Sequence, residues 1–356
     1  VSKDQPRVKH DLLKPPATDP TLLFEHFRGS YGTELLVAAV AHLRVFQYLQ
    51  GGAKEAEQLR SAVSLEKRPF TVLMCALKAM GLLQQPSATI ELTPLAEEHL
   101  VAGRPGDVSD YFGLAAQSPS VLEMVERLRS NRPANSKLEE GGAAFIFRDG
   151  LESAMEQEAT ARHFTLALAG RAKNVAPVLA EVMPMSGAKR VLDVAGGTGI
   201  YSVALLQKNP GLTAVVLDRP EVLKITREFA EQYGVADRLE CRAGDMFADP
   251  LPTDCGVVLL SNVLHDWDEP ECRRLLRNCA EALPTGGRLW IHDVFLNDAL
   301  DGPLPLALYS AALFTLTEGR AYSAAEYRNW LIEAGLTPRK LTPTLIHCGV
   351  LEAVKA

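Results

Sequence analysis

The sequence predicts an α/β fold: a doubly wound, Rossmann-like sheet in the second half of the chain, with a mainly helical domain before it. Three observations predict it. From Arg190 onward, short runs rich in Val, Leu and Ile alternate with stretches of helical periodicity, the pattern of parallel strands joined by covering helices. The first of those runs ends in a glycine-rich turn that opens a helix, as nucleotide-type ligand sites do. The N-terminal third shows helical spacing broken by one hairpin pattern. A chain of 356 residues exceeds what one hydrophobic core organises, so two domains are expected. These are 1–115, mainly helical, and 116–356, made of a helical connector at 116–185 and the α/β core at 186–356.

The elements follow in order. The start, VSKDQPRVKHDLLKPP, is charged and Pro-rich, and it reads as a frayed arm without the apolar stretch of a secretory signal. Residues 34–49 repeat apolar positions at helical spacing up to Gly51-Gly52, which suit a helix end. Further helices are expected over 54–62 and 67–80; in the second, Phe70, Leu73, Met74, Leu77 and Met80 share one face. A hairpin pairs 82–85 with 89–92 around Pro86-Ser87, and Thr93-Pro94 opens another helix with a polar cap and an early proline. Three helices and a hairpin form the winged-helix pattern. Residues 120–185 read as helices with a loop at 131–142. Strands are expected at 191–195, 214–218, 239–244, 257–262 and 288–295, with a helix at 269–283. The tail suits an antiparallel pair closing the sheet.

Composition narrows the function. Apolar residues make up 47% and charged residues 23% of the chain, which excludes disorder as the main state. A winged helix invites DNA binding, with 67–80 as the recognition helix. Between Ala41 and Arg104, however, seven basic residues face six acidic ones, and the whole chain has 37 Lys+Arg against 44 Asp+Glu, a net charge of −7. That leaves no basic face to hold phosphates, so no nucleic-acid partner is expected. Six cysteines without a CxxC pair signal neither a zinc site nor a disulfide frame. The longest uncharged apolar run, Gly302 to Thr317, falls short of the roughly 18–20 residues that cross a bilayer. The expectation is a reduced, cytoplasmic protein with no membrane partner.

The glycine turn reads Asp193-Val194-Ala195-Gly196-Gly197-Thr198-Gly199. Taken as a dinucleotide fingerprint from Gly197, it puts Ser202 where the third glycine belongs, a poor fit to NAD. Asp193 at the mouth of the turn would repel a pyrophosphate and suits a ligand carrying an ammonium and a sulfonium. S-adenosylmethionine is such a ligand. Asp218, ending the second strand, is placed to accept from ribose hydroxyls, beside Arg219. Both aspartates could instead cap the helices that follow them. Gly244-Asp245-Met246-Phe247 follows the third strand: Asp245 is placed to accept from an adenine amino group and Met246 to cover the ring, against ordinary loop packing for Met246 and Phe247. Ser261-Asn262 ends the fourth strand. Ligands of open α/β sheets lie outside the carboxyl ends of the strands, so these positions face one crevice.

Directly after the fourth strand comes Val263-Leu264-His265-Asp266-Trp267-Asp268. Methyl transfer to a phenol needs a proton removed from oxygen, and an imidazole titrating near 6.5 can accept it at neutral pH, so His265 is the expected base. Asp293, ending the fifth strand, is placed to fix its tautomer, and His292 should face the opposite side. Asp266 is open to two roles, helix cap or acceptor contact; Asp268 is a second cap candidate. Phe145, Phe147, Met155, Phe164, Tyr309 and Phe314 are candidates for an aromatic acceptor pocket, with core packing as the default for each.

Together VLDVAGGTG, VVLDRPEVL, RAGDMF, LSNVLHDWDEPEC and LPTGGRLWIHDVF resemble the plant caffeate/hydroxyindole type of S-adenosylmethionine-dependent small-molecule O-methyltransferase, over nearly the whole chain. The resemblance implies a winged-helix dimerisation domain, a class I methyltransferase sheet and a homodimer. It also implies metal-free transfer of a methyl group to an aromatic hydroxyl, with S-adenosylhomocysteine as product. His265 is then the base with Asp293 beside it, and cofactor contacts fall to Gly196, Gly197, Asp218, Asp245 and Met246. Asp193, Gly199, Arg219, Gly244, Phe247 and Ser261 complete the expected cofactor site, and Asp266 the catalytic one. Three positions depart from the pattern: Ala195 replaces a frequent glycine, Ser261 a frequent lysine, and Ala321 a second carboxylate flanking the histidine, with Glu318 nearby. Nitrogen or carbon methylation, or hydroxylase or decarboxylase chemistry on the same scaffold, are the competing enzyme readings; product mass separates the non-methylating ones. A DNA-binding regulator is the competing non-enzyme reading, and it would show salt-dependent duplex binding.

Overall fold

The structure, a computed structural model, describes residues 11–132 and 158–356. The expected N-terminal arm before residue 11, most of the expected 131–142 loop, and Phe145, Phe147 and Met155 lie outside the described residues. The described chain forms two compact units. One takes in residues 11–22, 158–294 and 325–356, and the other residues 23–132 and 295–324. This differs from a single boundary after residue 115, because the segment 295–324 leaves the α/β unit and packs with the N-terminal helices. Its helix Leu304–Leu316 is apolar around its whole circumference, and Leu308, Ala311 and Phe314 join Leu35, Phe46, Leu73 and Leu77 in one core. A helix apolar on all sides must be buried on all sides, which is why it leaves the sheet.

In the helical unit the strands β1 (Lys54–Glu55), β2 (Leu83–Gln84) and β3 (Thr89–Leu92) form a small antiparallel sheet in the order β1-β3-β2. The expected helix at 54–62 therefore begins with a strand, Lys54 pairing with Ile90, and becomes helical only over Ala56–Ala62. The helix Lys67–Ala79 ends where sequence places it: Gly81 takes φ 73° and Leu82 N–H reaches back to Leu77 C=O at 3.0 Å, the glycine-terminated helix end. Thr93 caps the helix Pro94–His99 as expected. The continuous helix expected over 34–49 is instead broken. Leu43 N–H bonds to Ala38 C=O, five residues back, Arg44 turns left-handed at φ 50°, and a new helix runs Val45–Leu49. The wide turn inserts a residue and rotates the following apolar positions, so that Leu43, Val45 and Phe46 are all buried; a spacing count cannot see that insertion.

In the α/β unit, β4 (Arg190–Val194), β5 (Thr213–Asp218), β6 (Leu239–Ala243), β7 (Val257–Ser261) and β8 (Arg288–Leu296) run parallel. β10 (Leu336–Pro343) and β11 (Cys348–Lys355) add an antiparallel edge, while β9 (Tyr322–Ser323) pairs with Phe295 and Leu296 at the end of β8 within the other unit. The order β10-β11-β8-β7-β4-β5-β6 is doubly wound about β4, and the tail closes the sheet as expected. The central strands are buried on both faces; Leu192, Val215, Val258, Leu259 and Ile291 have no exposed surface. Their near-continuous apolar runs are what this burial demands. The helix Glu158–Val182 is followed by β4, and the helix Pro119–Ser130 ends at Asn131 in a left-handed conformation.

Arg68 ties the helical unit together. It is 5% exposed; its guanidinium donates to Asn131 Oδ1 at 2.8 Å and to the carbonyls of Thr317 and Gly319 at 3.1 and 3.0 Å, and it stacks 4.6 Å from the Phe314 ring centre. Arg68→Ala is expected to destabilise the protein by about 3 kcal/mol, because the fork leaves several buried acceptors unpaired. Arg68→Lys should recover little of that, lacking the planar fork. Urea unfolding of the three proteins checks both.

Candidate active site

The glycine turn is built on a buried carboxylate. Asp193 has no exposed surface, its Oδ2 accepts from Ser202 Oγ at 2.7 Å, and its Oδ1 is buried with no partner among the described residues. A Cβ on Gly196 would lie 2.7 Å from the Asp193 carboxyl carbon, so only glycine lets the turn fold over that carboxylate. Gly197 is glycine for another reason, φ 59°, and Gly199 for both: φ 68° and Thr226 Cγ2 within 3.0 Å of its Cβ position. Ala195 also sits left-handed, at φ 53°, where an L side chain costs roughly 1–2 kcal/mol; the replacement of glycine there is costlier than the sequence suggests. Asp193 caps no backbone N–H of the following helix, whose N-cap is Gly199 without a side-chain bond. Ser202, at the position where a dinucleotide fold has glycine, serves as its hydrogen-bond donor instead.

The turn is clamped from β5 and the helix Pro220–Gln232. Asp218 Oδ2 accepts from Gly197 N–H at 2.8 Å and its Oδ1 from Arg219 N–H at 2.7 Å, so it braces the glycine turn; the helix cap expected as its alternative is not formed, since the N-cap of Pro220–Gln232 is Arg219 without a side-chain bond. Thr226 Oγ donates to Gly197 C=O at 2.6 Å. Burial pushes the Asp218 carboxyl up, against the lowering effect of those N–H bonds. After β6, Asp245 is exposed and its Oδ1 accepts from Phe247 and Ala248 N–H at 2.7 and 3.1 Å, closing its own turn. A Cβ on Gly244 would meet Asp249 Oδ2 at 3.2 Å. Phe247 packs edge-on against Trp267, ring centres 4.8 Å apart, as the loop-packing alternative would have it. Met246 C=O accepts from Asn278 at 3.4 Å.

Beyond β7 the backbone reverses at Asn262, φ 56°, whose N–H bonds to His292 C=O at 2.8 Å, and a tight turn Leu264–Asp266 carries the histidine. His265 is 5% exposed, and its Nδ1 lies 2.5 Å from Asp293 Oδ1. A carboxylate only accepts, so Nδ1 donates and Nε2 keeps its lone pair. Asp266 Oδ1 stands 3.6 Å from Nε2, near enough to act through charge but beyond hydrogen-bond length. Asp268, and not Asp266, caps the helix Glu269–Ala282, accepting from Glu269 N–H at 2.8 Å. Asp293 lies within β8, which continues to Leu296, rather than at its end. Burial lowers the His265 pKa, but the Asp293 and Asp266 charges outweigh it and hold the imidazole above its ordinary value; burial lifts Asp266 itself to about 6.

His292 faces the other side, as strand alternation requires. It bonds Ser261 Oγ at 2.8 Å and Thr344 Oγ at 3.3 Å, packs edge-on against Tyr201, and burial pushes it down to about 3, so it is neutral. Ser261 is thereby engaged with its strand neighbour and with Asn262 Nδ2 at 3.1 Å. Phe314 is core, as its default had it, and Tyr309 stacks with Arg28; the side chain of Phe164 lies outside the described residues. Four residues near the cluster have no motif to announce them: Thr226, Tyr201, Arg171, whose cation opposes protonation of His265, and Tyr327, whose hydroxyl donates to Asp293 Oδ2 at 3.3 Å. Among the described residues no group of three His, Cys, Asp or Glu is placed to hold a metal ion.

Comparison with known proteins fits this arrangement. The sequence profile of the O-methyltransferase domain matches residues 141–337. A 3-hydroxy-5-methyl-1-naphthoate 3-O-methyltransferase from Streptomyces sahachiroi is 34% identical, over 96% of this chain and 97% of that protein. The crystal structure of an O-methyltransferase family 2 protein from Planctomyces limnophilus, in complex with apigenin, is 47% identical, covers 98% of this chain and 99% of that one, and superposes with a TM-score of 0.88. Human N-acetylserotonin methyltransferase in complex with SAM shares the fold at 21% identity and a TM-score of 0.58, covering 96% of this chain and all of that one.

Burial lifts Asp193 to about 7, its ordinary value being 3.8. The folded carboxyl therefore binds its proton more tightly than the unfolded one, and its cost is absent below about pH 4, grows as pH rises to about 7, and is complete above that. Asp193→Asn should stabilise the ligand-free protein at pH 8 by a few kcal/mol, on the order of the shift at ~1.4 kcal/mol per unit, with no gain at pH 4. It should also weaken S-adenosylmethionine binding roughly 10- to 100-fold, the worth of a charged hydrogen bond. Thermal melts across pH and calorimetric titration check the two halves.

Proposed function

We propose, from the premise that this chain belongs to the O-methyltransferase family, that it methylates a phenolic hydroxyl of a small aromatic metabolite, with His265 as general base. It is an S-adenosylmethionine-dependent O-methyltransferase. The observation that carries the assignment of the base is the 2.5 Å contact of His265 Nδ1 with Asp293, which leaves Nε2 as the proton acceptor. The hydroxynaphthoate named for one relative as its methyl acceptor and the apigenin in complex with another favour a fused-ring phenol as substrate class.

The residues of the turn fit the methyl donor. Asp193 Oδ1, buried without a partner among the described residues, suits an ammonium, and the glycine at 196 puts no side chain against that carboxylate. Asp218 and Arg219 would meet the ribose, and Gly244, Asp245, Met246 and Phe247 the adenine, with Ser261 beside them. When bound, S-adenosylmethionine supplies a methyl on a cationic sulfur; the C–S bond breaks as the C–O bond forms, leaving S-adenosylhomocysteine. His265 Nε2 takes the proton from the acceptor oxygen, so the charge lost at sulfur reappears as imidazolium, steadied by Asp293 and Asp266. Holding the acceptor oxygen in line supplies several kcal/mol, and base catalysis about 10²–10⁴ in rate.

The helical unit exposes Leu23, Phe27, Tyr111 and Leu114, each more than 70% exposed. We read it as a winged-helix module that pairs with a second copy of the chain, an arrangement that sedimentation velocity distinguishes from a monomer. All six cysteines are free thiols and no described helix is long and apolar enough to cross a membrane; our reading places the protein in the cytoplasm.

His265→Ala should keep donor binding and lose most turnover; full turnover would remove His265 from the role. Asp293→Asn should lower kcat by about 10²–10⁴, because an amide can donate to Nδ1 and then leaves the proton on Nε2. The base works unprotonated and its pKa is raised, so kcat should fall with falling pH along a limb whose midpoint lies above 6.5. Steady-state assays with a hydroxynaphthoate across pH, read by product mass, check all three.

A further inference from the structure

We propose that Tyr327 is a positioning residue for the base, holding the plane of the Asp293 carboxylate through its unshared oxygen. The inference rests on the reading of His265 as the base. His265 Nδ1 meets Asp293 through one carboxylate oxygen, Oδ1, at 2.5 Å. The direction in which Nδ1–H points therefore depends on the plane of that carboxylate.

A terminal carboxylate torsion is soft and broadly distributed, so something must hold it. Val294 N–H bonds at 2.8 Å to the same oxygen that serves the histidine. Two donors on one oxygen leave the other free to swing out of the plane in which Nδ1–H points. The partner the structure gives Oδ2 is Tyr327 O–H, at 3.3 Å. Tyr327 has no exposed surface and its ring packs edge-on to Trp330, ring centres 5.5 Å apart, so the hydroxyl is fixed from behind. It stands 34 residues from Asp293, on the helix Ala324–Glu333. Burial removes water as a substitute partner, which makes the phenol the group that sets both the orientation of the carboxylate and how much of its charge the imidazole feels.

Tyr327→Phe keeps the ring and removes one oxygen. At 3.3 Å the bond is long for a charge-assisted one, so the expected fall in kcat at pH 7 is about three- to tenfold, with KM for donor and acceptor within twofold of wild type. The freed carboxylate charge should pull harder on the imidazolium, so the acid limb of kcat should move up by about half a unit, and the deficit should shrink as pH rises. The other charged groups around His265, Asp266 on its own turn and Arg171 on the helix Glu158–Val182, are unchanged in the variant, and His292 stays neutral. In an Asp293→Asn background the same substitution should cost nothing further. NMR titration of His265 in ligand-free protein gives the same shift without turnover. A lowered melting temperature with an unmoved limb and an unmoved titration would make Tyr327 merely structural and overturn the proposal, as would additive losses in the double variant. Full turnover by His265→Ala would overturn the reading beneath it instead, so the two failures are distinguishable.

Discussion

Parallel pairing of β7 with β8 puts Ser261 opposite His292, and Asn262 N–H extends the ladder by one more bond to His292 C=O. That register delivers the histidine to its carboxylate. The left-handed Asn262 then folds the chain back over the end of β8, so His265 comes down on Asp293, one residue past the last paired position. Side chains alternate along a strand, so a slip of one residue would present His292 in place of Asp293 and leave the imidazole facing another imidazole. The same alternation explains why adjacent residues live so differently: Asp293 bonds His265, and His292 is held neutral on the opposite face among Ser261, Tyr201 and Thr344.

Buried charge is the second theme. Asp193, Asp266 and Asp293 are all less than a tenth exposed, a costly arrangement for carboxylates in a protein interior. Asp293 is compensated by three donors, whereas Asp193 has one and keeps an oxygen without a partner. Stability alone would favour an amide or an apolar residue there. In the function we propose, this carboxylate under Gly196 is half of an ion pair whose other half a ligand brings, at the expense of folded-state stability.

Most of the fold could be read from local pattern. Five parallel strands fell within a residue or so of expectation because strands buried on both faces leave unmistakable apolar runs, and the tail pair closed the sheet as read. The geometry of the candidate site was legible where chemistry and strand ends coincide: His265 with Asp293, and the Gly196–Gly199 turn. What escaped did so for physical reasons. The wide turn at Ala38–His42 adds one residue without altering composition. The two-residue strand β1 is shorter than any periodicity. Asp266 and Asp268 are equally good caps on paper, and only backbone geometry separates them. Tyr327 and Thr226 reach the site from helices distant in sequence, and a buried aromatic or hydroxyl residue on a helix announces nothing about the polar atom it will meet.

The departure of residues 295–324 from the α/β unit and the return of the chain at Ala325 make both units discontinuous in sequence. Neither can be excised as one stretch of polypeptide. Gene fusion or recombination that exchanged only the N-terminal part between relatives would mate the helices around Leu35 and Phe46 with a foreign Leu304–Leu316 helix, and the hybrid core would carry mismatched volumes. A chimera that takes the inserted helix and its N-terminal partners from the same parent keeps that core's volumes matched.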